Sequence, residues 1–176
     1  MKKAVVGVVQ TRAEAETIIR ELQSVVAPSD ISVLFPDSHG TKDFAHEHHT
    51  KAPEGAATGA GAGGLLGGTL GVLAGIGALA IPGLGPFIAA GPLMAALSGA
   101  AAGAAVGGLT GALVGMGIPE YEAKLYEGKL RSGSLLISVH TEDAKLRDHV
   151  EQVFKRNGAR DVSTVTETAV PKNARV

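Results

Sequence analysis

Apolar residues near the start of the chain form one short continuous run and then take up a helical spacing. Ala4–Val9 is short and rich in valine, which is typical of a buried β-strand. Thr11 and Glu14 have the spacing of a capping box, which predicts a helix that runs to about Val26. Ile31–Phe35 is predicted as a second strand, so residues 1–36 form a βαβ unit. The apolar face of the helix comprises Ala15, Ile18, Ile19 and Leu22.

The last part of the chain repeats this plan. Ser134–His140 is predicted as a strand, an acidic turn opens a helix, and Val162–Val165 is predicted as the final strand. Gly158 marks the end of that helix. The chain thus has a second βαβ unit at 134–168 and a short polar tail at 169–176. The apolar face of this helix comprises Leu146, Val150, Val153 and Phe154.

Each βαβ unit is too small to bury its own apolar face, so we expect the two to pack together. The fold class predicted is α+β, a ferredoxin-like βαβ…βαβ domain split by an insertion. The alternative is that each unit pairs with a unit of another subunit.

The insertion at 56–118 contains glycines at every fourth position, in two unbroken series. Residues four apart share one helix face, so each series predicts a smooth groove that another helix can approach closely. A four-residue repeat also favours a right-handed crossing. The helix-packing glycines are Gly59, Gly63, Gly67, Gly71 and Gly75 in the first series, and Gly99, Gly103, Gly107, Gly111 and Gly115 in the second.

The two glycine series are mirror-related about Phe87. This symmetry predicts an antiparallel helical hairpin with arms at about Ala57–Ile81 and Leu93–Gly117. An arm of about 25 residues is about 37 Å long, enough for a hydrocarbon core of about 30 Å. Such a hairpin spans the bilayer, re-enters it, or packs inside a soluble oligomer. The turn residues predicted are Pro82, Gly83, Pro86, Gly91 and Pro92.

Composition narrows the function classes. Glycine accounts for 25 of 176 residues, and no residue from Gly55 to Pro119 is charged. The chain has 16 Lys and Arg against 17 Asp and Glu, so we expect no nucleic-acid partner. It has no cysteine, and aromatic residues make up 3%. Since no catalytic set or phosphate loop stands out, we expect neither an enzyme nor a cofactor.

Two polar segments flank the insertion. The His-rich linker at 37–55 contains His46, His48 and His49, weak metal-ligand candidates whose spacing fits no standard site. We interpret this linker as a polar, solvated segment that connects the first βαβ unit to the hairpin. Residues 119–133 are predicted to form a short amphipathic connector helix. Its Tyr121, Lys124, Tyr126 and Lys129 suit a membrane interface, although an ordinary surface helix is the alternative.

Charge predicts the topology of the hairpin. The turn region has no charged residue, whereas Lys42 and Lys51 precede the insertion and Arg131 follows it. The positive-inside tendency then keeps both termini cytoplasmic. We expect the cytoplasmic membrane as the location, with a cytoplasmic assembly as the alternative.

The segment Gly115–Gly133 (GMGIPEYEAKLYEGKLRSG) follows the apolar insertion and precedes a strand. This arrangement resembles the bacterial general-stress-protein family, whose members have a heat-induced-stress-type N-terminal βαβ unit and a glycine-zipper insertion. The resemblance implies a stress-responsive, non-enzymatic, membrane-associated protein. It brings no catalytic residues to this chain, and it does not extend to the His-bearing loop.

Together these observations predict a protein that assembles through its glycine zippers and organises or reinforces membrane under stress. Its expected partners are copies of itself and membrane lipid. One alternative is a soluble particle or filament with a hydrophobic hairpin core that holds lipid. Another is a membrane-anchored sensor whose ferredoxin-like domain binds a small ligand.

Overall fold

A computed structural model describes residues 3–36, 77–81, 84–93, 97 and 101–166. In these ranges the protein has an α+β fold, with helices on both faces of one antiparallel sheet. The strands are β1 Lys3–Val9, β2 Ile31–Pro36, β3 Gly77–Ile81, β4 Gly85–Ala90, β5 Leu135–Thr141 and β6 Arg160–Thr166. The helices are α1 Arg12–Leu22, α2 Ala101–Gly115, α3 Glu120–Arg131 and α4 Ala144–Arg156, with a 3-10 turn at Pro28–Asp30.

The two flanking βαβ units share the sheet within one chain. The strand order is β3-β4-β2-β5-β1-β6, and every neighbouring pair is antiparallel. Strand β1 of the first unit lies between β5 and β6 of the second, and β5 lies between β1 and β2. The two units are therefore interleaved, and neither has a separate sheet.

Two apolar cores lie on opposite faces of this sheet. Helices α1 and α4 cover one face, where Ile18, Ile19 and Phe154 are fully buried. Helices α2 and α3 cover the other face, where Leu109 and Tyr126 are fully buried. Strand β1 contributes alternate residues to both cores. Its continuous apolar run thus reflects burial on both faces, as expected for a central strand.

The predicted helix starts are confirmed. The Thr11 hydroxyl accepts from the Glu14 amide at 3.2 Å, and the Glu14 carboxylate accepts from the Thr11 amide, which completes the capping box. Helix α1 ends at Leu22, before the predicted end at Val26. Asp143 caps α4 through the amides of Lys145 and Leu146, and Gly158 has a positive φ of 85° after its last turn.

The middle of the predicted helical hairpin is a β-hairpin. Gly77–Ile81 is strand β3 rather than the end of a first helical arm, and Gly85–Ala90 is strand β4 rather than a helix-to-helix turn. Pro86 lies within β4, opposite Ala80 of β3. Gly91 and Pro92 follow the strand, with a φ of 73° at Gly91. The hairpin prediction is therefore wrong for this stretch.

The physical reason lies in the edge of the sheet. Without β4, strand β2 would present unpaired backbone groups, and an apolar segment that pairs there satisfies them. Strand β4 pairs with β2 from Val33↔Ala90 to Pro36↔Phe87. Its residues alternate between the two cores, with Phe87 and Ala89 on one side and Ile88 and Ala90 on the other. The pleated, two-sided burial of this run outweighs the mirror symmetry on which the helical prediction rested.

Candidate functional site

In residues 109–115 of helix α2, the glycines lie on the side of the helix that faces away from the core. Leu109, Ala112 and Leu113 point into the core under the sheet. Gly111, Val114 and Gly115 lie on the opposite side of the helix, where Val114 is 41% exposed. A β-carbon built on Gly115 would meet no atom within 4 Å. We call Gly111, Val114 and Gly115 the glycine face. It is uncharged, and its Val114 and Gly115 are exposed.

The helix is broken at Gly108, so the predicted continuous arm is interrupted. Gly108 has φ 59° and ψ −153°, a combination that residues with a β-carbon rarely adopt. α2 thus consists of two helical segments, 101–107 and 109–115. Gly103 and Gly107 lie on the first segment, and Gly111 and Gly115 on the second. The four glycines do not form one straight groove.

A carboxylate from the neighbouring helix caps the second segment. Glu127 of α3 accepts from the Thr110 amide at 3.0 Å and from the Thr110 hydroxyl, both through Oε2. Its Oε1 accepts from Arg131 Nη2 at 2.7 Å. The break deprives the Thr110 amide of its usual helical partner, and Glu127 replaces that partner. Burial raises the pKa of Glu127, but hydrogen bonds from Thr110 and Arg131 outweigh it and hold the pKa below 4.5.

The four residues predicted for a membrane interface separate into different environments. Tyr121 is 80% exposed, and Lys124 forms an exposed ion pair with Glu120. Lys129 lies 3.8 Å from the Asp161 carboxylate. Tyr126 is 1% exposed and belongs to the core, so the interface prediction is wrong for this residue. Helical spacing puts Tyr126 on the same face as Ala123 and Leu130, which turns it towards the sheet.

The Tyr126 hydroxyl links α3 to the edge strand β6. It lies 2.9 Å from Ser163 Oγ and 3.1 Å from the Asp161 carbonyl oxygen. Ser163 Oγ donates to Glu122 Oε2 at 2.8 Å, which leaves the Tyr126 proton for the Asp161 carbonyl or for Ser163 Oγ. Burial raises the pKa of Tyr126 to about 12. Because the Tyr126 side chain is buried, we interpret the cluster as a structural anchor between α3 and β6.

A second polar contact fixes the chain that leads from β4 towards α2. The Leu93 amide donates to Ser32 Oγ at 3.1 Å, and Ser32 Oγ lies 3.2 Å from His140 Nε2. Ser32 is the second residue of β2 and is fully buried. This contact was missed from sequence. A serine within an apolar strand was its only signal, and the partners are more than 60 residues away.

The contact between Thr110 and Glu127 was also missed. Gly107 and Gly108 side by side, followed by a polar Thr110 in an apolar helix, are the signal that was available. Paired glycines are a usual cause of helix kinks, and threonine suits the start of a helix. The partner on α3 follows only from the packing of the two helices.

Several predicted residues lie outside the described ranges. They are the first glycine series from Gly59 to Gly75, Gly99, the turn residues Pro82 and Gly83, and His46, His48 and His49. Among the described residues, no cluster of three or more His, Asp or Glu side chains is arranged to hold a metal ion. Within the same ranges, no helix is long and apolar enough to cross a membrane. Comparisons with known protein families, characterised proteins and solved structures find no match to this chain.

Proposed function

We propose that this is a non-enzymatic, stress-associated protein that assembles from copies of itself through its glycine-lined helices and thereby organises or reinforces membrane. One observation carries the proposal. The glycine face of α2 is turned away from the core, with Val114 and Gly115 exposed, while Leu109 and Leu113 on its other side are buried. A surface of this kind suits a second helix.

Glycine favours such contacts because a missing side chain lets two helix backbones approach closely. Gly111 and Gly115 are one turn apart on one segment, and Val114 beside them adds apolar area. No charged residue from 55 to 119 would have to be desolvated when this part of the chain is covered. The partner that fits this surface is the same uncharged surface on another copy.

We also propose that the flanking strands form a ferredoxin-like unit that supports the assembly helix. The order β2-β5-β1-β6, antiparallel throughout, supports this proposal, because it separates the strands of each βαβ unit by one strand of the other. Helix α3 packs on that sheet through Tyr126 and Leu130 and on α2 through Glu127. A rigid sheet would hold the glycine face in a constant direction.

The link with stress and with membrane rests on sequence. The resemblance of Gly115–Gly133 to the general-stress-protein family supports the link with stress. The uncharged stretch around the glycine series supports the link with membrane. Tyr121, the second residue of α3, is exposed and suits contact with headgroups.

The test combines flotation with mass. The full chain is mixed with phosphatidylglycerol–phosphatidylethanolamine vesicles at high salt and floated, and the mass of the purified protein is measured by native mass spectrometry. We expect flotation with the vesicles and a mass of several subunits. Recovery of a monomer in the unbound fraction at every protein concentration would overturn the proposal.

A soluble particle is the second candidate, and one observation favours it. Strands β3 and β4 use the middle of the apolar insertion to extend the sheet, and Phe87 is buried there. That part of the insertion therefore packs within the protein's own sheet and core. Large regular particles seen by electron microscopy of detergent-free protein, without flotation, would favour this candidate over the membrane role.

A further inference from the structure

We propose that Gly108 is a hinge that switches helix α2 between the broken form of this structure and a continuous helix, and that the continuous form is the one that assembles. The inference rests on the proposed function, since it concerns how the same glycine face is made available. The observations that carry it are the backbone conformation of Gly108, the Thr110–Glu127 contact and the four-residue spacing of the glycines.

The broken form depends on glycine at one position. Gly108 combines a positive φ with an extended ψ, which a β-carbon strongly disfavours. Gly108 is also the glycine of α2 that lies outside the series formed by Gly103, Gly107, Gly111 and Gly115. Helix packing therefore gives no reason for a glycine at 108, whereas the break does.

The two forms compete for the same hydrogen-bond donor. In the broken form the Thr110 amide donates to Glu127 Oε2 at 3.0 Å. In a continuous helix that amide would donate to the carbonyl four residues earlier, at Val106. One N–H cannot make both bonds well, so Glu127 stabilises the break by supplying the alternative acceptor.

Glu127 is itself held in place on α3. Arg131 donates to Glu127 Oε1 from one turn later, at 2.7 Å through Nη2 and 3.3 Å through Nε. The Thr110 hydroxyl adds a second bond to Oε2. A carboxylate fixed on both oxygens needs little reorganisation to cap the second segment, so the contact acts as a latch on the hinge.

The contacts of α2 indicate which segment moves. Leu109, Ala112 and Leu113 anchor the second segment in the core. Its C-terminal end is capped locally, since the Ile118 amide donates to the Leu113 carbonyl at 3.1 Å after Gly117, whose φ is 96°. The segment 101–107 is thus the part that changes direction when the hinge straightens.

Straightening would complete the packing surface. In a continuous helix, Gly103, Gly107, Gly111 and Gly115 would share one face over about 18 Å of helix axis. The break divides that face after Gly107, which leaves two glycines on the anchored segment. A partner helix needs the longer uninterrupted face for close backbone contact, so opening the latch would promote assembly.

The test uses two substitutions that act on different parts of the device. Gly108→Ala disfavours the broken backbone, and Glu127→Gln removes the charge from the latch at nearly constant size. The control for the first is Gly128→Ala, at a helical glycine with open space around it. The control for the second is Glu120→Gln, at an exposed glutamate of α3 that pairs with Lys124 one turn later, as Glu127 pairs with Arg131. Thermal melting confirms that each variant folds.

Hinge position is measured apart from assembly. The chain has no cysteine, so Ala101→Cys and the exposed Ala144→Cys accept spin labels specifically. Residue 101 lies about 10 Å from the hinge along the helix, so a change of direction moves its label by several ångströms. We expect Gly108→Ala and Glu127→Gln to shift the label-to-label distance, and neither control to shift it.

Assembly is measured in parallel by native mass spectrometry across a dilution series. We expect Gly108→Ala to lower the dissociation constant of the assembly by about tenfold. Unchanged label distances in both variants would overturn the hinge, even if the wild type assembles. A wild type that stays monomeric while the distances shift would overturn the proposed function and leave the hinge supported.

Discussion

Gly7 in strand β1 lies directly under the ring of Phe154 from helix α4. A β-carbon built on Gly7 would stand 2.7 Å from Phe154 Cδ2 and 3.4 Å from Val162 Cγ2. The absence of a side chain at this position lets α4 pack closely against the central strand. Because of this contact, the core under α1 and α4 has no room for a larger side chain at Gly7.

We therefore expect Gly7→Val to destabilise the protein by about 1–3 kcal/mol, because the added carbons overlap the Phe154 ring. The free energy of unfolding in urea is the measurement. Phe154→Leu and the double variant complete a cycle. A favourable coupling in the double variant would identify the overlap as the cause, and strictly additive effects would contradict it.

Gly91 secures the end of strand β4 against β2. Its φ is 73°, and a β-carbon there would overlap the carbonyl oxygen of Ile31. Since a backbone atom of a central strand cannot move aside, we expect Gly91→Ala to cost about 2 kcal/mol or more and to loosen the β3–β4 hairpin. Hydrogen exchange at the β2–β4 pairing measures this.

The matched control is Gly85→Ala. Gly85 also has a positive φ, at 94°, but a β-carbon there meets no atom within 4 Å. We expect only the cost of backbone strain at Gly85, about 1 kcal/mol, with the β2–β4 amides still protected. Equal effects of the two substitutions would mean that the contact with Ile31 is unimportant.

The Tyr126 hydroxyl should contribute measurably to stability. Tyr126→Phe removes the bonds to the Asp161 carbonyl and Ser163 and leaves both groups partly buried. We expect a loss of about 1–2 kcal/mol in urea unfolding. Tyr121→Phe, at a side chain that is 80% exposed, should change stability by less than about 0.5 kcal/mol. A neutral Tyr126→Phe would argue against the anchor between α3 and β6.

Alkaline pH should weaken the fold through the same residue. Burial raises the pKa of Tyr126 from 10.0 to about 12, so the unfolded chain ionises first. Its contribution is complete below pH 10 and is lost as the pH rises through about 12. Tyrosinate absorbance followed during titration measures the pKa, and Tyr126→Phe should remove the late step and flatten the alkaline loss of stability.

Acid should weaken the fold through Glu127 and Glu151. Burial raises the pKa of Glu127, yet hydrogen bonds from Thr110 and Arg131 outweigh this and lower it below 4.5. Hydrogen bonds from Thr164 and Lys155 lower the pKa of Glu151. Both contributions are present above pH 4.5 and are lost as the pH falls through the lowered values. Unfolding free energies measured against pH should fall less steeply on the acid side in Glu127→Gln and Glu151→Gln.

The glycine face can be tested by a single bulky side chain. Gly115→Leu adds a large group where a β-carbon meets only open space, so we expect an intact monomer that no longer assembles. Gly128→Leu is the matched control, because Gly128 is also helical and open, but on α3. Native mass spectrometry compares the two. Assembly of the Gly115→Leu variant at wild-type concentrations would refute the packing surface.

Much of the flanking architecture could be predicted from sequence because its signals are local. The capping box of Thr11 and Glu14 and the cap at Asp143 depend on residues within one turn. The apolar faces that contain Ile18 and Val150 follow from helical periodicity, and both side chains are fully buried. Short-range hydrogen bonds and periodic burial leave a direct trace in the order of residues.

The candidate site shows where such signals end. Glycine spacing identified Gly111 and Gly115 as one surface, and both lie on the outer side of α2. The break at Gly108, which precedes both glycines, is capped by a carboxylate of another helix, and the Tyr126 hydroxyl bonds to Ser163 and Asp161 of an edge strand. No local pattern contains those partners.

Strands β3 and β4 illustrate the same division most clearly. Residues 77–90 contain no charge and suit either a helix or a strand, so periodicity alone could not choose between them. The choice came from the unpaired edge of β2, which gained backbone partners, and from two cores that each took alternate side chains of β4. Local order specifies caps and faces, whereas long-range pairing chooses among conformations that are locally close in energy.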